Sequence, residues 1–431
     1  MTVSVQEYFD HIDSNTGYLV EQLREVVAIP SISADVEHRG EVVRMAEWLK
    51  ARWEGLGAEL ADIGIQELEG KVVPLPPVIL GRYGNDPNKK TVTIYGHYDV
   101  QPALKSDGWD SDPFTLVETE DGRLLGRGAS DDKGPVVGWL LCVEAHQKIG
   151  RDLPVNLLFC FEGMEESGSV NLDKLLQKEG DKWFSGTDFI CICDNGWLGT
   201  EKPGLTYGLR GINYFSVEVS GPAADLHSEE EDKTYDTLSY RIEDSIKDLK
   251  YDCTLFSTSK EMLQHRWRYP ALSLHGIEGA FYSPGRKTVI PAKVTGKFSI
   301  RTVPNMDPQE VIDLTTKYIK DQFAKLNTKL KMDVKSSHSG DWWYASPNHP
   351  NFVAGAKAVR SVFGVDPELT REGGSIPVTI TLQETIKSNV LLLPMGRSND
   401  GAHSTNEKLD KYNYVTGIKL FGAYLHEISQ L

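Results

Sequence analysis

Thr91-Val-Thr-Ile-Tyr-Gly-His-Tyr-Asp99 is the stretch that decides the fold. Its first five residues are β-branched or aromatic, and a short run of this kind ending at glycine is typical of a buried strand. Similar strands are predicted at residues 155–161 and 189–193, and helical apolar spacing occurs at residues 7–27 and 134–149. Strands that alternate with helices indicate a largely parallel α/β sheet.

The pattern changes in the middle of the chain. Residues 213–219 and 330–334 alternate between apolar and polar side chains, as half-exposed strands do. The first pattern then resumes near the C-terminus. The sequence therefore predicts an α/β domain with a mainly parallel central sheet at residues 1–206 and 347–431, interrupted by a smaller α+β domain at residues 207–346.

The composition excludes several classes of function. The net charge of −16 argues against a protein that binds nucleic acid or an anionic membrane surface. The first fifteen residues are polar, so no signal peptide is expected, and no long apolar run predicts a membrane span. Five cysteines form an odd, sparse set that is typical of reduced thiols. These features together predict a cytoplasmic protein.

Metal-ligand side chains follow the predicted strands. The segments are Gly96-His-Tyr-Asp99, Gly128-Ala-Ser-Asp-Asp-Lys-Gly134, Glu162-Gly-Met-Glu-Glu166, Asp194-Asn195 and Asp400-Gly-Ala-His403. Each segment alone fits a structural role, such as a helix N-cap or a solvated acidic pair. Together they place imidazoles and carboxylates where sheet loops converge, and close carboxylates repel each other unless a cation lies between them. The sequence therefore predicts a metal centre.

The spacing within two of these segments also has a chemical reading. Residues two apart on an extended chain point the same way, so Asp99 can accept a hydrogen bond from the far nitrogen of His97. Glu165 and Glu166 are adjacent and can point in different directions. One of the pair can then bind metal while the other takes a proton from water.

Several of the segments resemble the signatures of a known family. They are Gly96-His-Tyr-Asp-Val-Gln-Pro102, Gly126-Arg-Gly-Ala-Ser-Asp-Asp-Lys-Gly-Pro135, Glu162-Gly-Met-Glu-Glu-Ser-Gly168, Arg371-Glu-Gly-Gly-Ser-Ile-Pro377 and Asp400-Gly-Ala-His-Ser404. They resemble the M20 metallopeptidases, and within that family the subgroup of cytosolic non-specific dipeptidases. The likeness runs over nearly the whole chain. It implies hydrolysis of dipeptides, including carnosine-like and Cys-Gly-like substrates, and a small domain that acts as a lid and dimerisation face.

The resemblance also implies a set of metal ligands and a mechanism. Two divalent ions, Mn²⁺ or Zn²⁺, would be held by Asp131 as the bridging ligand, by His97 and Asp194 at one ion, and by Glu166 and His403 at the other. Glu165 would be the general base that takes a proton from the bridging water and passes it to the leaving amine. Asp99 would orient His97. The Asp131–Asp132 peptide bond is typically cis in the family.

Substrate contacts are implied in the same way. They are Arg301, His349, Ser375, Thr288 and Glu372, with His227 as the oxyanion donor. Arg301 would clamp the terminal carboxylate of the substrate, a task that suits the guanidinium fork, although a surface arginine on a strand is the plainer interpretation. His227 and Thr288 come from the partner subunit in related dimers.

The chain departs from the family directly after His227. There the family has a glycine-bearing turn and a long helix of the dimer face, whereas this chain continues with Glu229-Glu-Glu-Asp232. Several dozen residues are missing by this comparison. We therefore expect the homodimer of the family to be weakened or lost, and the contribution of His227 with it.

Three functions stay open at this point. The first is a dipeptidase, and the second is an N-acyl amino acid deacylase or a condensing enzyme of the same family. The third is a variant that binds metal but is catalytically impaired. A nucleotide-binding enzyme is not expected, because the sequence has no glycine-rich phosphate loop of the Walker type.

Overall fold

The computed structural model describes residues 5–53, 57–68, 70–216, 233–243, 256–279, 288 and 293–431. The chain divides into two compact units. The first unit comprises Met1–Tyr207, Ala345–Thr370 and Thr381–Leu431, and the second comprises Gly208–Tyr344 and Arg371–Ile380. The sequence-based boundaries assigned all residues after 346 to the first domain, whereas the structure groups Arg371–Ile380 with the second unit.

The helices are numbered in chain order. They are α1 Val5–Ser14, α2 Thr16–Val27, α3 Arg39–Arg52, α4 Lys133–Lys148, α5 Leu172–Glu179, α6 Ser259–Trp267, α7 Pro308–Lys325, α8 Pro350–Phe363, α9 Val378–Ile386 and α10 Lys411–Ile428. None of the helices in these described ranges is long and apolar enough to cross a membrane.

The strands are numbered likewise. They are β1 Glu59–Ala61, β2 Ile65–Leu68, β3 Lys71–Pro74, β4 Val78–Tyr83, β5 Thr91–His97, β6 Val117–Glu118, β7 Arg123–Leu125, β8 Asn156–Glu162, β9 Phe189–Ile192, β10 Gly204–Leu209, β11 Gly211–Ser216, β12 Ala271–Glu278, β13 Thr295–Thr302, β14 Lys335–Gly340, β15 Trp343–Tyr344, β16 Glu368–Glu372, β17 Asn389–Leu392 and β18 Lys408–Asp410.

The central sheet of the first unit runs in the order β1-β4-β8-β5-β9-β17-β10. Its middle pairings, β8 with β5, β5 with β9 and β9 with β17, are parallel. The pairings towards the two edges are antiparallel. Every residue of β8 and β9 is buried, as expected for parallel strands covered on both faces. The predicted α/β fold with a mainly parallel sheet is confirmed.

Helix α10 lies in the core of the first unit and brings the end of the chain against its beginning. The rings of Phe421 and Trp139 of α4 stack at 4.0 Å between centroids. Tyr8 of α1 donates its hydroxyl to the Ile418 carbonyl at 2.6 Å, and its ring crosses α10 at Gly422. The close approach of the two helices requires the absence of a side chain at Gly422.

The second unit contains an antiparallel sheet in the order β12-β13-β11-β14. Phe215 of β11 stacks on Phe298 of β13 at 4.9 Å, and Ile319 of α7 completes this small core. Met332 and Val334 pack against the same cluster. This part of the chain is therefore held by a separate apolar centre.

Two predicted elements differ from the structure. Residues 7–27 form two helices, because the Asn15 side chain donates to the His11 carbonyl and Ser14 donates to the Asp10 carbonyl, so local polar bonds end the first helix. The strand predicted at residues 330–334 is wrong, since the strand begins at Lys335. The alternation there reflects alternate burial against the small core.

The Tyr8–Gly422 crossing generates a stability prediction. A β-carbon at Gly422 would lie 2.2 Å from Tyr8 Cε1, so Gly422→Ala forces the two helices apart. We expect the free energy of unfolding to fall by ~1–3 kcal/mol. The matched control is Gly17→Ala in α2, where nothing lies within 4 Å and alanine raises stability by up to ~1 kcal/mol. Urea denaturation measures both, and equal effects of the two substitutions would contradict the packing argument.

Candidate metal centre

The carboxyl ends of three neighbouring strands form the floor of the site. β5 ends at His97, β8 ends at Glu162 in register with it, and Asp194 follows β9. Asp131 comes from the loop that leads into α4, and the Asp131–Asp132 peptide bond is cis, as the resemblance implies. The order β8-β5-β9 brings these strand ends side by side, where α/β sheets bind their ligands.

The first group of candidate ligands surrounds the imidazole of His97. Its Nε2 lies 3.0 Å from Asp131 Oδ1 and 3.4 Å from Asp194 Oδ1. The ligand atoms of these three side chains all lie within 4.8 Å of one another. The imidazole is fully buried, so its position is fixed by the sheet.

The second group uses the other oxygen of the same aspartate. His403 Nε2 lies 2.9 Å from Asp131 Oδ2 and 2.9 Å from Glu166 Oε2. The His403 side chain is 57% exposed, in contrast to the buried His97. Asp131 therefore presents one carboxylate oxygen to each group, which is the geometry of a bridging ligand. The structure brings all five predicted ligands together.

Burial of so many acids perturbs their protonation. Burial raises the pKa of Asp194 to about 6, and it raises the pKa of Glu165 well above its ordinary value, with Asp194 and Glu166 adding to the effect. Hydrogen bonds to Asp131 and Glu166 raise the pKa of His403 to about 11. In the metal-free protein, protons thus balance the acids that bound cations would otherwise balance. The imidazole and carboxylate donors suit Zn²⁺ or Mn²⁺.

The structure gives Asp99 a broader role than the sequence predicted. His97 Nδ1 lies 3.1 Å from the main-chain oxygen of Asp99 and 3.5 Å from its Oδ1, so the main chain is the nearer acceptor. The Asp99 carboxylate accepts the main-chain N–H groups of Glu165 at 3.2 Å and Glu166 at 3.1 Å. Asp99 therefore positions the two adjacent glutamates as well as the imidazole.

Sequence reasoning missed two residues that contact the cluster. Gln101 donates its amide to Glu166 Oε2 at 2.8 Å, and its place in the segment that begins at Gly96 was the available signal. Glu407 accepts from the N–H of Asp131 at 3.1 Å. No local pattern identifies Glu407, because its partners lie more than 270 residues away in the chain.

Two of the predicted substrate residues meet in the second unit. Arg301 Nη1 donates to Ser375 Oγ at 2.7 Å, and that hydroxyl donates to the Arg210 carbonyl at 2.6 Å. Burial, with Arg301 nearby, lowers the pKa of Arg210 to about 10. Glu372 accepts the N–H of Gly373 at 2.6 Å and so shapes the turn before Ser375.

Three predicted substrate residues remain, His349, Thr288 and His227. His349 belongs to the first unit and caps α8, where its Nδ1 accepts the Asn351 N–H at 3.3 Å. Thr288 is exposed. His227 lies outside the described residues. The substrate roles of all these side chains stay predictions.

Known proteins are similar to this chain in sequence and in fold. The model of peptidase family M20/M25/M40 matches residues 93–427. A Cys-Gly metallodipeptidase of Schizosaccharomyces pombe is 48% identical over an alignment of 474 residues that covers 100% of both chains. The alignment exceeds the 431 residues of this chain, so the relative contains residues without a counterpart here.

Two solved structures superpose closely. The dipeptidase Dug1p from Saccharomyces cerevisiae gives a TM-score of 0.93 at 43% identity and covers 100% of both chains. Human carnosine dipeptidase 1 gives a TM-score of 0.91 at 41% identity and covers 99% of both. Because the family model and the relatives agree over most of the sequence, the chain belongs to peptidase family M20/M25/M40.

Proposed function

We propose that this protein hydrolyses dipeptides at a centre of two divalent metal ions. The observation that carries the proposal is the shared carboxylate of Asp131, which faces one imidazole through each oxygen. The relatives support the substrate class, since one is named for Cys-Gly and another for carnosine. Carnosine-like and Cys-Gly-like dipeptides are therefore the proposed substrates, and Mn²⁺ and Zn²⁺ are the proposed ions.

Each ion would be held by three side chains. His97 and Asp194 would complete one site with Asp131, and Glu166 and His403 would complete the other. When bound, the ions polarise the scissile carbonyl and lower the pKa of a water molecule towards ~7. The protein itself supplies the orientation of these ligands, through the buried strand ends and through Asp99.

Glu165 is the proposed general base. Its N–H is fixed by Asp99, and its neighbour Glu166 points to His403, so the Glu165 carboxylate is available for proton transfer. Burial raises its pKa well above that of a free carboxyl in the metal-free protein, and bound cations would favour the ionised form. That ionised carboxylate would take a proton from water and pass it to the leaving amine.

Arg301 and Ser375 are the first of the proposed substrate contacts. Ser375 holds one edge of the Arg301 guanidinium, which would leave the fork oriented for a terminal carboxylate. His349, Thr288 and Glu372 complete the proposed contacts, and His227 is the proposed oxyanion donor. We also propose that the protein is cytoplasmic. We propose further that its homodimer is weakened, because relatives contain residues that this chain lacks.

The substrate class is tested by comparing two kinds of amide. We expect the purified protein to hydrolyse an unblocked dipeptide at least ~100-fold faster than an N-acetyl amino acid, because the acetyl group removes the substrate amine charge. The assay is run with Mn²⁺ and with Zn²⁺ separately. Faster cleavage of the acetylated substrate would indicate a deacylase.

Glu165→Ala tests the general base. We expect kcat to fall by ~10²–10⁴-fold, since proton transfer is lost, while elemental analysis still finds two ions per chain. Glu120→Ala, at an exposed carboxylate, is the matched control and should retain wild-type turnover. Near-wild-type turnover by the Glu165 variant would disprove the assignment.

Metal affinity should rise with pH. Nearby carboxylates raise the pKa of His403 to about 11, and they raise the pKa of His97 although burial opposes this, so both imidazoles carry protons at pH 7 in the metal-free protein. A binding ion must displace these protons, and each one displaced changes affinity ~10-fold per pH unit. Chelator competition from pH 6 to pH 8 measures the slope. A flat profile would contradict this account of the cluster.

A further inference from the structure

A buried ion pair ties together the two ends of the loop that carries His403. Lys408 Nζ donates to Asp400 Oδ1 at 2.6 Å, and both side chains are less than one-tenth exposed. The Lys408 N–H also donates to the Asp400 carbonyl at 2.8 Å. Asn399 and Asp410 accept from the same ammonium at 2.9 Å and 3.0 Å. These contacts close residues 400–408 into what we call the His403 loop.

The residue next to Lys408 fastens this loop to the one that carries Asp131. Glu407 is fully buried, and its Oε1 accepts the N–H groups of Ser130 at 3.0 Å and Asp131 at 3.1 Å. Its Oε2 accepts from Arg127 Nη1 at 2.7 Å and from the Gly128 N–H at 3.1 Å. One carboxylate therefore contacts four positions of the loop that leads into α4, namely 128, 130 and 131 through the main chain and 127 through its side chain.

Glu407 and Lys408 reach two different loops because successive side chains of an extended segment point in opposite directions. β18 begins at Lys408 and pairs with β7, and the Gly126 N–H continues this pairing by donating to the Glu407 carbonyl at 2.9 Å, which fixes the direction of both side chains. His403 itself is mostly exposed and has a positive φ of 61°. Its distance from Asp131 therefore depends on the buried ends of its loop more than on packing around the imidazole.

We propose that Glu407 and Lys408 are positioning residues that form a clasp between the His403 loop and the Asp131 loop. The clasp sets the affinity for the ion that Asp131, Glu166 and His403 would hold. This inference rests on the proposed two-metal function. Lys408 acts on the His403 side of the clasp, so its loss weakens the binding of one ion. Glu407 also fixes Asp131, so its loss weakens the binding of both ions.

Lys408→Met is the decisive variant because it keeps length and removes the charge. Mn²⁺ is titrated calorimetrically into the full-length, metal-free protein. We expect the wild type to bind two ions, and the variant to keep the first affinity while the second falls by ~10–100-fold. His403→Ala is the benchmark for loss of that ion alone. Lys411→Met is the control, since it removes a partly exposed ion pair with Glu118 close to the clasp in the chain. This variant should bind both ions as the wild type does.

Two further variants complete the test. Glu407→Gln keeps the shape of the side chain and should weaken both ions. Asn399→Ala removes one acceptor of the Lys408 ammonium at an exposed position, so it reports on the clasp even where Lys408→Met does not fold, and it should weaken the second ion by a smaller factor.

Each outcome bears on the clasp or on the metal centre separately. A wild type that binds two ions, with unchanged or equally weakened affinities in Lys408→Met, would overturn the clasp alone. Where that variant does not fold, an unchanged second affinity in Asn399→Ala would do the same. A wild type that binds fewer than two ions would overturn the proposed function and the clasp with it.

Discussion

Buried like charge is the constraint on which the rest of this structure depends. The strand ends and the loop that leads into α4 bring Asp131, Asp194, Glu165 and Glu166 into one small volume, where carboxylates repel and water screens them poorly. Such a group persists only when protons or cations balance it. The imidazoles of the cluster face these acids directly. A divalent ion can take the place of a proton on an imidazole nitrogen.

Other buried carboxylates in the same region are neutralised in a different way, and the contrast separates support from chemistry. Asp99 and Glu407 are fully buried, yet each accepts two or more main-chain N–H groups. Their oxygens therefore have hydrogen-bond donors within the protein. The carboxylate oxygens of Asp131 and Glu166 instead face an imidazole, which is itself a common metal ligand. The main-chain donors thus identify which acids hold the loops and which would hold ions.

The sequence allowed a good prediction of what is local and a poor one of what is distant. The strand before His97 and the acids after the next strands could be placed because burial pattern and strand ends are local properties. Asn15, which ends the first helix, acts through side-chain bonds that apolar spacing does not reveal. Glu407 has no recognisable motif, since its role exists only once residues 127 and 131 have folded against it.

The distribution of the first unit along the chain has a consequence for biosynthesis. His97 emerges from the ribosome long before His403, and helix α10, which fills the core beside Trp139, is made last. The central sheet also awaits β17 from the C-terminal part. A nascent chain must therefore be translated through α10 before its first unit can close, and its second unit likewise awaits Arg371–Ile380. The arrangement in which Asp131 faces His97 through one oxygen and His403 through the other is consequently complete only after the C-terminal part has been made.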